Sequence, residues 1–262
     1  MKMLTISLTA LLALSGVASA DTAAVQVIHN SPDPLAASVD IYLDESLAIA
    51  DFAFLTATSV LHLPAGVEIA IGVAPGNSQG AEDIIASFPV TLAAGESYLV
   101  MATGVLDPSL PGNPDGVDTG FTLEISSPLV TTAGAGEVAI LAYHGSPSAP
   151  AVDVQVAGGA VLVDDLTYRE FAGYIDAPAV DLVLDVTPAM DNDTVVASFG
   201  APLSALDGAG VVVFAAGYLE DDPSLPDFGL FVALADGTVL PLSQVVVATE
   251  NLSWSGVKEL FN

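Results

Sequence analysis

The residue types that could carry chemistry recur in a phrase that the chain contains twice. The stretch HNSPDPLAASVD begins at His29, and HGSPSAPAVD begins at His144. Histidine, serine and aspartate are the components of nucleophilic sites, and histidine with carboxylates can also bind metal ions. Each copy has one histidine and one or two carboxylates, which is too few to close a transition-metal site. The shared residues are His29, Ser31, Pro32 and Asp40 in the first copy, and His144, Ser146, Pro147 and Asp153 in the second.

We interpret the phrase as a structural corner between two strands. Proline fixes its own φ and keeps the preceding residue extended, so the chain leaves one strand and enters the next without a helix. Asp40 and Asp153 begin strands, where a carboxylate can accept hydrogen bonds from loop amides. His29 and His144 end strands, where an imidazole can donate to a loop carbonyl. The alternative is that histidine and aspartate form a ligand or metal site.

The catalytic interpretations have little support in the sequence. The stretch GNSQG (Gly76 to Gly80) has the spacing of a nucleophile elbow, but that motif works on a strand-to-helix turn and here lies in a β loop. Paired acids are so numerous that any glycosidase dyad would be chosen arbitrarily. The chain has one Trp and no Cys, which leaves few aromatic platforms for sugars and excludes thiolate sites. We therefore expect no catalytic residues.

Calcium is the one cofactor for which the sequence offers candidate ligands. Two loops, DPSLPGNPDGVD and EDDPSLPD, place several carboxylates close together among turn-forming residues. Hard cations need several oxygen ligands at close quarters, although neither loop has the EF-hand pattern. A solvated acidic loop is the alternative. The candidates are Asp107, Asp115 and Asp118 in the first loop, and Asp221, Asp222 and Asp227 in the second.

The N-terminus and the net charge predict where the protein works. Lys2, an apolar run and an Ala-Ser-Ala cleavage site predict a signal peptide over residues 1–20, so we expect an exported protein that is periplasmic, extracellular or on the cell surface. The chain has 32 acidic and 3 basic residues, for a net charge of −29. Such a surface repels phosphate backbones, so nucleic acid is excluded as a partner. We expect no membrane span in the mature chain, and a protein or glycan at the cell exterior as the partner.

The sequence similarity between the two copies of the phrase continues along the chain. LPAGVEIAIGVAP matches APAVDLVLDVTP, VMATGVL matches FAAGYL, and DPSLP occurs twice, always in the same order and at a nearly constant offset. Each unit consists of short alternating runs separated by Gly, Pro, Asp and Asn, as in β-sandwiches. We predict an all-β protein of two tandem antiparallel β-sandwich domains, immunoglobulin-like or related, at residues 21–126 and 137–247. Residues 127–136 are the predicted linker, and the tail over 248–262 could form a short helix capped by Ser253.

The pattern H-x-S-P, then V-D-[IV]-x-[LV], an LPAG turn and a strand ending in ATG resembles the domain of unknown function 4397 family of exported bacterial proteins. The resemblance covers both units, over roughly 24–126 and 137–242. It implies an exported β-sandwich module and brings no catalytic residues. We therefore expect a noncatalytic exported module for interaction or structure at the cell surface or outside the cell. The alternatives are a ligand- or carbohydrate-binding protein with a site between the two domains, and an unrecognised hydrolase.

Overall fold

The part of the chain that the structure describes is almost entirely β-structure. The structure is a computed structural model that describes residues 21–245. Its helical segments in this range are three short 3₁₀ turns, at Pro34–Ala36, Ala81–Asp83 and Leu203–Leu206. The all-β prediction is confirmed. The predicted signal peptide and the predicted C-terminal helix lie outside the described residues. Within residues 21–245 no helix is long and apolar enough to cross a membrane.

The strands fall into two successive groups along the chain. The first group is β1 (Thr22–Asn30), β2 (Ser38–Leu43), β3 (Ser46–Ala53), β4 (Thr56–Ala57), β5 (Leu61–Pro64), β6 (Glu68–Pro75), β7 (Ala86–Thr91), β8 (Ser97–Thr103) and β9 (Thr122–Ser126). The second group is β10 (Glu137–His144), β11 (Val152–Val156), β12 (Val161–Leu166), β13 (Ile175–Pro178), β14 (Leu182–Pro188), β15 (Ala197–Ala201), β16 (Gly210–Ala216), β17 (Gly229–Leu234), β18 (Val239–Pro241) and β19 (Ser243–Gln244).

Each group forms two sheets, and the two groups have the same strand order at the centre. In the first group one sheet has the order β3-β2-β6-β7, and the other has the order β4-β1-β8-β9 with β5 also paired to β1. In the second group the corresponding orders are β12-β11-β14-β15-β19 and β13-β10-β16-β17-β18. We call the sheets that contain β1 and β10 the inner sheets and the other two the outer sheets.

One strand pair in each inner sheet is parallel, which the sequence interpretation did not include. β1 pairs with β8 in parallel, and β10 pairs with β16 in the same way, whereas the other pairs between these strands are antiparallel. Short turns can join only antiparallel neighbours, and a parallel pair needs a long crossover. Here the crossover from β1 to β8 contains the outer-sheet strands β2, β3, β6 and β7. In each unit the chain therefore passes through the outer sheet before it returns to the inner sheet beside the first strand.

The two inner sheets pack against each other, so the described residues form four layers. One apolar cluster joins Ile28 and Met101 of the first unit to Leu141, Tyr143 and Phe214 of the second. Separate clusters fill the space between the inner and outer sheets of each unit. β1 is buried on both faces, because Val25 points to the outer sheet while Ile28 points to the second unit. The two units therefore share an apolar core that is separate from the cores inside each unit.

The segment predicted as a linker takes part in this packing. Leu129 is buried in the cluster between the units, Thr132 forms an isolated β-bridge with Ala209, and Ala133 N donates to Gly208 O at 2.8 Å. A segment held by a buried side chain and backbone hydrogen bonds fixes the position of the unit that follows it.

Local sequence patterns account for most strands, with differences at the ends. Leu184 and Val186 of β14 point into the core, as the alternation predicts. Val180 continues the alternation of Leu182 and Leu184 towards the N-terminus, but it precedes the strand and is 50% exposed. The Asp236-Gly237 turn joins β17 and β18 in an antiparallel hairpin, and Gly237 has a φ of 92° that only glycine adopts readily.

Candidate functional site

His29 lies at the end of β1 and is completely buried between the sheets of the first unit. Its Nε2 donates to the carbonyl oxygen of Ala36 at 2.8 Å, and its Nδ1 accepts from Ser31 N at 3.4 Å. One donor and one acceptor define a neutral imidazole. Burial lowers the pKa of His29 to about 4, and the hydrogen bond to Ala36 offsets only part of this effect. His29 is therefore neutral at physiological pH.

His144 has the same position in the second unit. It ends β10, is 2% exposed, and its Nε2 donates to the carbonyl oxygen of Pro150 at 2.9 Å. Burial lowers the pKa of this imidazole as well. The ring packs edge-on against Tyr168, as His29 does against Phe54. The contact predicted between each imidazole and a loop carbonyl is present in both units.

The two serines of the phrase also bond to the backbone. Ser31 Oγ donates to the carbonyl oxygen of Gly104 at 2.6 Å, and Ser146 Oγ donates to that of Gly217 at 2.7 Å. Both glycines have a left-handed φ, of 86° and 79°. Neither serine donates to a histidine, so the pairing that activates a nucleophilic serine is not made by these residues. Pro32 and Pro147 are buried beside them.

Asp33 has a role that the sequence interpretation did not assign. It is 1% exposed; its Oδ1 accepts from Leu35 N at 2.7 Å, and its Oδ2 accepts from Leu106 N at 2.7 Å and Asp107 N at 2.8 Å. This carboxylate joins the corner to the loop after β8. In the second unit Ser148 takes its place and accepts one bond, from Leu219 N at 2.9 Å. The signal available in the sequence was an aspartate directly after Ser-Pro, a residue that often accepts from turn amides.

Asp40 and Asp153 are both buried at the start of the second strand of their units, but their surroundings differ. Asp40 Oδ1 accepts from Asp51 N at 2.9 Å, and its Oδ2 accepts from Ser78 Oγ at 2.5 Å. Asp153 Oδ1 accepts from Asp165 N at 2.6 Å. The hydrogen bond from Ser78 lowers the pKa of Asp40, whereas burial raises the pKa of Asp153. Ser78 of the GNSQG stretch thus donates to a carboxylate instead of to a histidine.

The six calcium candidates are not brought together in groups of three. Asp107 accepts from Ser109, Asp222 accepts from Ser224, and Asp115 accepts from Ala151 N at 2.7 Å. Within residues 21–245 the one group of three or more potential metal ligands is Asp153, Asp164 and Asp165, and it contains none of the six. In these loops Asp107 and Asp222 bind neighbouring serines, and Asp115 binds the backbone of the second unit.

Polar contacts between the units surround their shared apolar core. Gln26 Nε2 donates to Leu234 O at 2.7 Å, and Asn30 Nδ2 donates to Ala215 O at 3.1 Å. Arg169 binds Glu124 through Nε at 2.8 Å and through Nη2 at 2.5 Å, and its Nη1 lies 3.4 Å from Asp118 Oδ2. The ion pairs of Arg169 thus join the two units.

We expect Arg169→Leu to lower the free energy of unfolding by about 1–2 kcal/mol, because the partly buried Glu124 loses its cation. Leucine suits the backbone, since Leu55 has the equivalent left-handed conformation in the first unit, with a φ of 60° against 70° at Arg169. Urea denaturation measures the change. Arg169→Lys keeps the positive charge but not the guanidinium group, so it should lose less stability than Arg169→Leu. Equal losses of stability in the two variants would contradict this role for the guanidinium.

An apolar cavity lies inside the second unit. A cavity of about 90 Å³ lies between its two sheets and is lined by apolar side chains that include Ile140, Val152 and Leu184. Between the units, the apolar cluster of the inner sheets fills the region where the sequence interpretation placed an alternative ligand site.

Comparisons with known proteins identify one family. A profile described as "Domain of unknown function (DUF4397)" matches residues 23–114, a range that holds the first copy of the repeated phrase. The second copy lies outside the match. No curated protein matches the chain significantly. The chain is therefore similar to this family over much of its first unit, and the description of the family assigns no activity.

Proposed function

We propose that the protein is an exported, noncatalytic β-sandwich repeat protein that acts as a structural or interaction module at the cell surface or outside the cell. The observation that carries the proposal is the use of the repeated phrase inside the fold. Both histidines and both serines of the phrase are buried and donate to backbone carbonyls. Groups engaged in this way hold loops together and do not face a substrate.

The two units are proposed to be tandem copies of one ancestral unit. Their central strand orders agree, and the histidines and serines of the repeated phrase donate to equivalent backbone carbonyls in both units. The His29–Ala36 contact corresponds to His144–Pro150. Asp40 and Asp153 each accept from the residue with a φ of 53° in the neighbouring strand. Contacts that recur in this way favour duplication, in which structural features of the ancestor are kept in both copies.

The acidic surface supports a role in the exterior environment. Asp and Glu outnumber Lys and Arg by 32 to 3, and the absence of cysteine leaves the fold independent of redox conditions. A strongly negative surface keeps a protein soluble at high ionic strength, where screening reduces self-repulsion. The ligand-binding alternative is second, because the site it requires between the units is occupied by packed side chains such as Tyr143 and Phe214.

Export and the lack of catalysis can be tested on one preparation. The full chain is expressed in a bacterium, the exported fraction is collected, and the intact mass is measured. In the exported fraction we expect a species that begins at Asp21, and we expect none of this protein in that fraction when residues 1–20 are deleted. A chain that stays in the cytoplasm with its N-terminus intact would contradict export.

The same exported protein is then assayed on model ester, glycoside and peptide substrates. We expect no turnover above that of a His29→Gln/His144→Gln variant, measured at a temperature where both proteins are folded. Turnover that is lost in this variant would contradict the noncatalytic proposal and favour the hydrolase alternative.

A further inference from the structure

Three carboxylates meet on the outer sheet of the second unit. Asp153, Asp164 and Asp165 each offer an oxygen atom, and these atoms all lie within 4.8 Å of one another. Asp153 is 1% exposed at the start of β11, whereas Asp164 and Asp165 are exposed on the neighbouring edge strand β12. We call these residues the Asp153 cluster.

The buried member of the cluster has an oxygen without a hydrogen-bond partner. Oδ1 of Asp153 accepts from Asp165 N, but Oδ2 is buried and receives no hydrogen bond. A buried carboxylate oxygen without a donor is costly, and a folded protein usually satisfies it. This oxygen therefore indicates a binding partner other than the side chains around it.

The first unit satisfies the equivalent oxygen with a hydroxyl group. Oδ2 of Asp40 accepts from Ser78, whose backbone N–H donates to Pro75 O. In the second unit Asp191 makes the same backbone contact to Pro188 O, so Asp191 occupies the position of Ser78. An ionised carboxylate cannot donate a hydrogen bond, so Asp191 cannot replace the hydroxyl donor of Ser78. The Asp191 carboxylate instead accepts hydrogen bonds from Asp193 N and Thr194 Oγ1.

The second unit also has an additional charge at this place. Asp51 and Asp165 are equivalent, since each has a φ of 53° and donates to the buried aspartate. The residue before Asp51 is Ala50, whereas the residue before Asp165 is Asp164. Compared with the first unit, the second has no hydroxyl donor at this place and has two more carboxylates, those of Asp164 and Asp191.

Among the described residues no cationic side chain balances these charges. Arg169 is the only lysine or arginine in residues 21–245, and its guanidinium binds Glu124 and Asp118. Burial raises the pKa of Asp153, and repulsion from Asp164 and Asp165 raises it further. A bound cation would relieve this repulsion.

We propose that Asp153, Asp164 and Asp165 bind one divalent cation of the calcium class. Calcium takes oxygen ligands at about 2.3–2.6 Å, so two ligands of one ion are at most about 5 Å apart, which the cluster satisfies. Asp164 and Asp165, the exposed members of the cluster, also line a polar surface pocket of about 310 Å³, so solvent reaches both residues. The site differs from the acidic loops suggested by the sequence, and the first unit lacks it.

Isothermal titration calorimetry with CaCl₂ at constant ionic strength tests the proposal. We expect one saturable site per chain in the millimolar to submillimolar range typical of extracellular modules. Asp164→Ala reproduces the residue of the first unit and should weaken binding at least tenfold. Asp164 is exposed, so the fold should persist. Glu45→Ala, which removes one exposed charge from the turn between β2 and β3 of the first unit, is the control and should leave binding unchanged.

A gain of function gives an independent test. Ala50→Asp combined with Ser78→Asp gives the first unit the acidic residues of the second, and we expect two sites per chain in this variant. Absence of saturable calcium binding in the natural protein would overturn the proposal. Binding that Asp164→Ala leaves unchanged, or binding of Mg²⁺ in preference to Ca²⁺, would also overturn it.

Discussion

Replacing Asp33 with alanine is expected to lower the free energy of unfolding by about 3 kcal/mol or more. The substitution removes a carboxylate that is 1% exposed and leaves three backbone N–H groups, of Leu35, Leu106 and Asp107, without their acceptor. Each buried donor left unpaired costs about 1–3 kcal/mol, and bonds to a charged acceptor are at the stronger end of the range. Urea denaturation at pH 7 followed by circular dichroism measures the change.

The second unit supplies a matched control for Asp33. Ser148→Ala removes a single acceptor, that of Leu219 N, and should cost about 1 kcal/mol. Asp33→Asn keeps one carbonyl oxygen as an acceptor and should fall between these two variants. If Asp33→Ala and Ser148→Ala cost the same, the carboxylate does not hold the loop after β8 in the way that its contacts indicate.

The second large effect is a loss of stability in acid that depends on the buried histidines. An unfolded histidine binds a proton below a pH of about 6.5, whereas His29 in the folded protein has a pKa of about 4. Between these values the unfolded state binds more protons, so stability falls as the pH falls. The difference in pKa corresponds to about 3 kcal/mol for His29 at pH 4. His144 acts in the same direction, because burial lowers its pKa too.

Variants separate the histidines from the many carboxylates that also titrate in acid. Glutamine can donate to the same loop carbonyl but does not titrate, so His29→Gln should lose about 3 kcal/mol less than the natural protein between pH 7 and pH 4. His62→Gln is the control, because His62 lies exposed on β5. Parallel stability curves for the natural protein and His29→Gln would show that His29 does not contribute to the acid sensitivity.

The sequence was sufficient to predict features that depend on local periodicity and turn residues. Alternating runs separated by Gly, Pro, Asp and Asn predicted strands joined by turns, as in β14 with Leu184 in the core and in the β17–β18 hairpin at Asp236. The histidine at the end of each first strand was expected to donate to a loop carbonyl, which His29 and His144 do. These features depend on residues that lie within a few positions of one another.

Features that depend on long-range packing could not be predicted in this way. The parallel pairing of β1 with β8 joins strands about seventy residues apart, and no turn residue signals it. The packing of the inner sheets depends on the second face of β1, where Ile28 alternates with polar residues such as Gln26. The Asp153 cluster brings together residues from two strands, and the absence of a hydroxyl donor at Asp191 can be recognised only when the two units are aligned in space.

Long-range ¹H–¹⁵N correlation spectra of the imidazole rings, recorded from pH 7.5 to pH 4, test most directly whether the repeated phrase is a structural corner. We predict that His29 and His144 are neutral with the proton on Nε2, and that His29 keeps this state until the pH approaches about 4. Exposed His62 provides the comparison in the same spectra. Imidazoles of His29 and His144 that titrate near the ordinary value of about 6.5, in a protein that stays folded, would contradict the account.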